Sequence, residues 1–230
     1  MSYIIEAKAI AKQFLRERGD CNIFYPVQKT DFNVSEGEIA VLTGYSGSGK
    51  TTLLNMLSGI LAPNEGTVLF EGKNLYEMND DELSLFRNKN IGSIPQGQTA
   101  LHSLTVLENV LLPYTLYGKD EKVYLEKEKL ARELLEKLQI LPLENVMPSE
   151  LSGGELRRVA VARSLIMQPK VIFADEPTSD LDELNTEIVV NLFKDIAKTG
   201  TSIIISTHDK NFVNFATSTY RMKDGVLEKQ

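Results

Sequence analysis

Short apolar runs punctuated by turn residues dominate the front of the chain, and charged stretches carrying evenly spaced leucines dominate its middle. Ser2-Tyr3-Ile4-Ile5-Glu6-Ala7 reads as a strand followed by a charged turn over 16–20. Further strands are predicted over 31–34, 39–43 and 67–70, with Ser35-Glu36-Gly37 and Glu71-Gly72-Lys73 as turns. A short helix over 80–88 leads into a strand over 91–94 that ends at Pro95-Gln96. From 103 to 163 the pattern turns helical. Over 120–138, Leu125, Leu130, Leu134, Leu135 and Leu138 fall near one face and Glu and Lys fill the rest, which describes a helix with one solvated side. Two apolar runs, Val171-Ile172-Phe173-Ala174 and Ser202-Ile203-Ile204-Ile205-Ser206, flank a helical stretch over 185–198. That order is a β-α-β crossover, so the fold class is α/β with a parallel sheet.

The bulk properties narrow the setting. A chain of 230 residues with no internal repeat is one large domain or a core with a subdomain. Its net charge of −7 argues against nucleic acid as the main partner, because duplex binding draws on a basic surface. The single cysteine, Cys21, has no partner for an internal disulfide and fits a reducing compartment. Glu6, Lys8, Lys12, Arg16 and Glu17 interrupt the first twenty residues, so no secretory leader is expected and the protein is expected in the cytoplasm. No run approaches the length of a membrane span. The most apolar loop-like region, 106–117, is broken by Glu108, Asn109 and Pro113.

The chemistry concentrates in a few motifs. Gly44-Tyr45-Ser46-Gly47-Ser48-Gly49-Lys50-Thr51-Thr52 sits between a predicted strand and a predicted helix. Glycines at 44, 47 and 49 let the backbone N–H groups turn inward around phosphate, and the helix start adds its dipole. Lys50 reaches the β and γ phosphates, and the Thr51 hydroxyl sits where Mg²⁺ would bind. Asp175-Glu176 ends a buried strand at the sheet edge where ligands of parallel sheets bind. Asp175 suits Mg²⁺, and Glu176 suits polarising the attacking water. His208 follows the next strand and reaches the same end of the site; His102, the other histidine, reads as a plain loop residue. Gln96, at the end of the 91–94 strand, is a neutral amide able to bridge Mg²⁺ and water. Ser152-Gly153-Gly154 opens a helix with a hydroxyl, glycine N–H groups and a dipole, a second anion site. A second such site is useful if it completes the ATP site of another subunit, which implies a two-fold dimer with two ATP molecules between the subunits.

Together these residues resemble the ATP-binding subunit of an ABC transporter over essentially the whole chain. The resemblance assigns Walker A to Gly44–Thr51, the Q-loop to Gln96, the signature to Leu151-Ser152-Gly153-Gly154-Glu155, Walker B to 171–175, the catalytic base to Glu176, the D-loop to Ser179-Asp180-Leu181-Asp182 and the switch to His208. It implies a P-loop NTPase fold with a RecA-like core and an antiparallel β subdomain over about 1–94 and 160–230, and a helical signature subdomain over about 95–159. It also implies nucleotide contacts through Asp180 and an aromatic stacked on adenine, with Phe14 in that position and Tyr25 as the substitute. Residues 85–92 and 104–110 resemble the branch of macrolide exporters, lipoprotein-releasing systems and antimicrobial-peptide resistance transporters. Such cassettes drive a separate permease, here toward export or extracytoplasmic mechanical work, from the inner face of the membrane. Tyr45, Pro95, Gln98, His102, Leu156 and Arg157 depart from that branch's commoner residues, and Gln98 and His102 are expected on the permease-facing surface. The competing readings are an ATP-gated scaffold in cell division or another non-transport process, and a small-molecule kinase. A kinase needs no signature motif.

Overall fold

The structure is a computed structural model and describes residues 3–16, 22–118 and 120–230. Ser2, Cys21 and most of the expected charged turn over 16–20 lie outside the described residues. In chain order the elements are β1 (Tyr3–Arg16), β2 (Asn22–Ser35), β3 (Ile39–Thr43), α1 (Lys50–Leu57), β4 (Glu65–Phe70), β5 (Lys73–Asn74), α2 (Asp80–Asn90), β6 (Ile91–Ile94), α3 (Val106–Thr115), α4 (Glu121–Lys137), α5 (Gly153–Leu165), β7 (Val171–Asp175), α6 (Glu183–Lys198), β8 (Ser202–Ser206), α7 (Lys210–Val213), β9 (Ser218–Lys223) and β10 (Val226–Lys229). They form two sheets. One is antiparallel with strand order β2-β1-β4-β5; the other has order β10-β9-β3-β8-β7-β6 and is parallel except for β10.

The larger sheet is covered on both faces, and the period-two alternation of its strands shows how. Ile39 and Val41 of β3, Ile172 and Ala174 of β7, and Ile203 and Ile205 of β8 join one apolar cluster with Val110 of α3, Leu135 of α4, Val161 of α5 and Val189 of α6. Ala40 and Leu42, Val171 and Phe173, and Ile204 point the other way, into a cluster with Leu53 and Leu57 of α1 and with Ile5, Phe32 and Phe70 of the antiparallel sheet. Burial on both faces is why these strands read as continuous apolar runs rather than alternating ones.

β1 and β2 run far beyond the short strands expected at 2–7 and 31–34. Their pairing shifts register between Ala7 and Ile10, where Ala9 adopts φ 51° and donates its N–H to Asp31 Oδ1 at 2.7 Å. A bulge of this kind resets which side chains face inward, so Ala7, Ile10 and Ala11 are all buried and no single alternation spans the strand. β9 was not anticipated either, although its buried Ser218, Tyr220 and Met222 alternate with more exposed neighbours.

Asn109 organises the segment that leads into α3. Its amide is fully buried, accepts from the Leu101 N–H at 2.8 Å, and lies within 3.0 Å of the carbonyls of Leu101, Leu104 and Thr105. Thr105 and Glu108 close a capping box at the same helix start. Replacing Asn109 with Leu leaves these backbone groups unpaired in an apolar setting and is expected to destabilise the fold by about 2 kcal/mol. Thermal or urea unfolding checks this, and unchanged stability would remove Asn109 as the anchor.

Candidate active site

The phosphate loop connects β3 to α1, and two of its glycines are fixed by backbone packed against them. A Cβ on Gly49, which has φ 110°, would lie 1.9 Å from the Pro26 carbonyl oxygen; one on Gly44 would lie 2.3 Å from the Met222 carbonyl oxygen. Gly47 has open space where its Cβ would be, on the side facing the cleft. Thus β2 and β9 press the loop into shape from behind. Tyr45 turns outward, and its hydroxyl bonds the Asp224 carboxylate in the β9–β10 turn while accepting the Asp224 N–H at 3.2 Å. That carboxylate pushes the Tyr45 phenol up from its usual range. Ser48 is buried beneath the loop.

Lys50 donates to the carbonyls of Gly44 at 2.6 Å and Tyr45 at 3.2 Å, which holds its ammonium across the mouth of its own loop. Burial pushes its pKa down, against the pull of Glu176 and Asp175. Asp175, at the end of β7, is buried and held from two sides. Thr51 Oγ1 of α1 donates to its Oδ2 at 2.6 Å, and the Ser206 hydroxyl of β8 donates to its Oδ1. Parallel pairing sets Asp175 directly beside Ser206.

Glu176 is the next residue, at φ 48°, with its N–H donated to the Ser206 carbonyl at 2.9 Å. A left-handed conformation in a non-glycine residue costs energy, and the surrounding ladder imposes it here. It re-aims the side chain, so that Glu176 Oε1 lies 3.5 Å from His208 Nε2. Thr178 Oγ1 donates to Asp209 Oδ2 at 3.1 Å, which ties the segment after Glu176 to the residue after His208.

Lys50, Thr51, Asp175, Glu176 and His208 line a cleft of about 580 Å³ together with Gln96, Ser46, Gly47, Gly49, Thr52 and Ser179, whereas Gly44, Tyr45 and Ser48 do not line it. Phe14 does not line it. Phe24 does, with Pro26; Phe14 sits opposite Phe24 in the β1–β2 ladder, 43% exposed, with Lys12 Nζ 5.4 Å from its ring centre. Directly opposed residues share a face, so Phe14 lies beside Phe24 without itself lining the cleft. Tyr25, next along β2, does not line the cleft. Phe24 carried no local signal in the sequence, because its strand could not be recognised there.

Ser152, Gly153, Gly154 and Asp180 do not line the cleft of their own chain. Ser152 caps α5, accepting the Glu155 N–H at 3.3 Å, while Glu155 Oε2 accepts from the Ser152 hydroxyl and N–H. Those bonds hold the Glu155 carboxyl below its usual range. Asp180 packs beside Gly153, whose Cβ position is 3.7 Å from Asp180 Cβ. A second groove, of about 270 Å³, lies between α2, α3 and α5 and is lined by Ile60, Arg87, Leu116, Tyr117 and Arg163 among others, with no Asp or Glu. Burial pushes the Arg163 pKa down, and its guanidinium bonds the Thr99 carbonyl at 2.8 Å and the Thr99 hydroxyl. Gln98 and His102 do not line this groove.

A phosphate loop, a buried strand-end carboxylate, an adjacent glutamate and a histidine just beyond the neighbouring strand define a nucleoside-triphosphatase site on a parallel sheet. The chain belongs to the ABC transporter family, whose model matches residues 27–179, and it is an ABC-transporter ATPase. It is 42% identical over 195 residues to the lipoprotein-releasing system ATP-binding protein LolD of Aquifex aeolicus, covering 85% of this chain and 86% of that protein. LolD of Buchnera aphidicola subsp. Schizaphis graminum is 36% identical over 225 residues, covering 97% and 96%. Among solved structures, a dimeric ATP-binding cassette in a post-hydrolysis state bound to ADP and Pi superposes with a TM-score of 0.89 at 33% identity, covering 98% of each chain.

Lys50→Ala removes the one cation inside the loop. It is expected to weaken ATP binding by about ten- to a hundredfold, the range for a lost charge-assisted hydrogen bond. Titration with a fluorescent ATP analogue measures this, and unaltered affinity would place the phosphates elsewhere.

Proposed function

We propose that this chain hydrolyses MgATP as one half of a two-fold dimer and drives a separate permease of the lipoprotein-releasing kind from the cytoplasmic face of the membrane. The observation that carries the dimer is the placement of Ser152-Gly153-Gly154. This capped helix start has the chemistry of an anion site but does not line its own chain's cleft, so it is available to the γ phosphate held by a partner. The structural neighbour solved as a dimer supports this arrangement.

Within each site Gly47, Gly49, Lys50 and Thr52 bind and orient the phosphates. Bound phosphate would replace the carbonyls that now hold Lys50. The Thr51 hydroxyl and Asp175 would supply hard oxygen ligands of the kind Mg²⁺ takes, and Gln96, which lines the same cleft, would bridge the ion and water. Mg²⁺ supplies charge neutralisation to the transferring phosphoryl group. Glu176 accepts a proton from water at its carboxylate, His208 holds Glu176 and faces the γ phosphate, and adenine lies against the Phe14–Phe24 edge.

The groove between α2, α3 and α5 is proposed as the permease seat. No helix of the described residues is long and apolar enough to cross a membrane, so a membrane partner supplies the span. The helical segment over about 95–159 is proposed to move as a subdomain when ATP binds. The likeness to LolD relatives supports export or extracytoplasmic work on lipoproteins as the direction and cargo.

Glu176→Gln is expected to retain ATP binding, lose turnover by about two orders of magnitude or more, and accumulate as an ATP-bound dimer visible by light scattering. ADP, without a γ phosphate, is not expected to produce that dimer. Near wild-type turnover would overturn the assignment of the base, and a strict monomer in saturating MgATP would overturn the paired site. In the groove, Arg87→Glu is expected to leave basal ATPase intact and reduce its stimulation by the reconstituted permease about tenfold. Unchanged stimulation would exclude the groove as the seat.

A further inference from the structure

Arg157 lies one helical turn into α5 from the signature glycines, and its side chain is only 2% exposed. Its guanidinium reaches two segments at once through three contacts. Nη1 donates to the Pro95 carbonyl at 2.9 Å; Nη2 donates to Ser179 Oγ at 3.1 Å and pairs with Asp180 Oδ2 at 3.4 Å. Pro95 immediately precedes Gln96, and both Gln96 and Ser179 line the chain's own nucleotide cleft. Asp180, the third contact, packs against the signature helix start: the Cβ position of Gly154 is 3.3 Å from the Asp180 carbonyl oxygen.

Only arginine offers donors in a rigid planar fork that can serve several acceptors together. Burial of the guanidinium makes its donors costly to leave unpaired, so the two segments are held to α5 as a unit. The four steps from Gly153 to Arg157 rise about 6 Å along the helix, a distance over which a helix moves rigidly.

We propose that Arg157 is a positioning residue that couples the two nucleotide sites of the dimer. The inference rests on the paired-site reading, in which Ser152-Gly153-Gly154 serves the partner's ATP. Seating of that phosphate on the start of α5 displaces Arg157, and Arg157 carries Pro95-Gln96 and Ser179 with it into this chain's own cleft. Occupancy of one site thereby adjusts the groups that face the γ phosphate in the other. The coupling path is a chain of direct hydrogen bonds rather than mere proximity.

Arg157→Met fills the same space without donors. It is expected to lower kcat about tenfold or more, to bring the Hill coefficient of ATP hydrolysis to about 1, the value for independent sites, and to leave ATP binding by the isolated monomer unchanged. Arg157→Lys, which can keep one ion pair but not the fork, is expected to fall between the two in both kcat and Hill coefficient. A wild-type Hill coefficient in a folded Arg157→Met protein overturns the proposal, whether or not kcat falls, because a merely structural role would cost rate without uncoupling the sites. If Arg157→Met does not fold, Arg157→Lys decides: full cooperativity there overturns the proposal, and partial loss supports it. Failure of the paired-site reading has a different sign, namely no ATP-driven association of Glu176→Gln with Arg157 intact.

Discussion

The site is built around one buried carboxylate. Asp175 leaves water at the end of β7 and is accepted there because hydroxyls from two other elements, Thr51 on α1 and Ser206 on β8, donate to its two oxygens. An ionised group without such partners would be costly at this depth. The arrangement therefore requires the β3-to-α1 loop, β7 and β8 to end at one level, which parallel pairing in register supplies. Lys50, Glu176 and His208, which line the cleft, are then placed relative to Asp175: Lys50 one residue before Thr51, Glu176 one residue after Asp175, and His208 two residues after Ser206.

The loops around this point are shaped by the strands packed against them. Pro26 of β2 and Met222 of β9 leave no room for a Cβ on Gly49 or Gly44, so the curvature of the phosphate loop is imposed by its backing strands as much as by glycine freedom. Tyr45 strengthens the same attachment through Asp224. The Tyr45 side chain is thereby turned to the β9–β10 turn and does not line the cleft.

The helical side of the molecule follows a different logic. α3, α4 and α5 share a single apolar cluster with one face of the main sheet, while their polar contacts gather at the junctions: Asn109 below α3, Arg163 at Thr99, and Arg157 between Pro95 and Ser179. The anionic surface of the chain as a whole contrasts with the groove carrying Arg87 and Arg163, a local charge pattern that net charge conceals.

By itself the sequence determined the parallel core and much of the site's roster. The apolar runs at 39–43, 171–174 and 202–206 are buried on both faces and so need no partner to be recognised, and the phosphate loop, Asp175-Glu176 and His208 follow each run directly. Local residue type and strand direction were sufficient to bring them to one edge. Tertiary structure alone decided the features that arise from segments distant in the chain. The bulge at Ala9 hid the length of β1 and β2, so Phe24 and Pro26 could not be placed on the cleft; the pairing of β1 with β2 sets Phe14 beside Phe24 rather than alone at the site. The linkage of Arg157 to residues about 22 and 62 positions away, and the separation of Ser152 from its own chain's cleft, likewise depend on how helices pack over the sheet. That packing is fixed by the shape of buried side chains from many elements together, which no single stretch of sequence expresses.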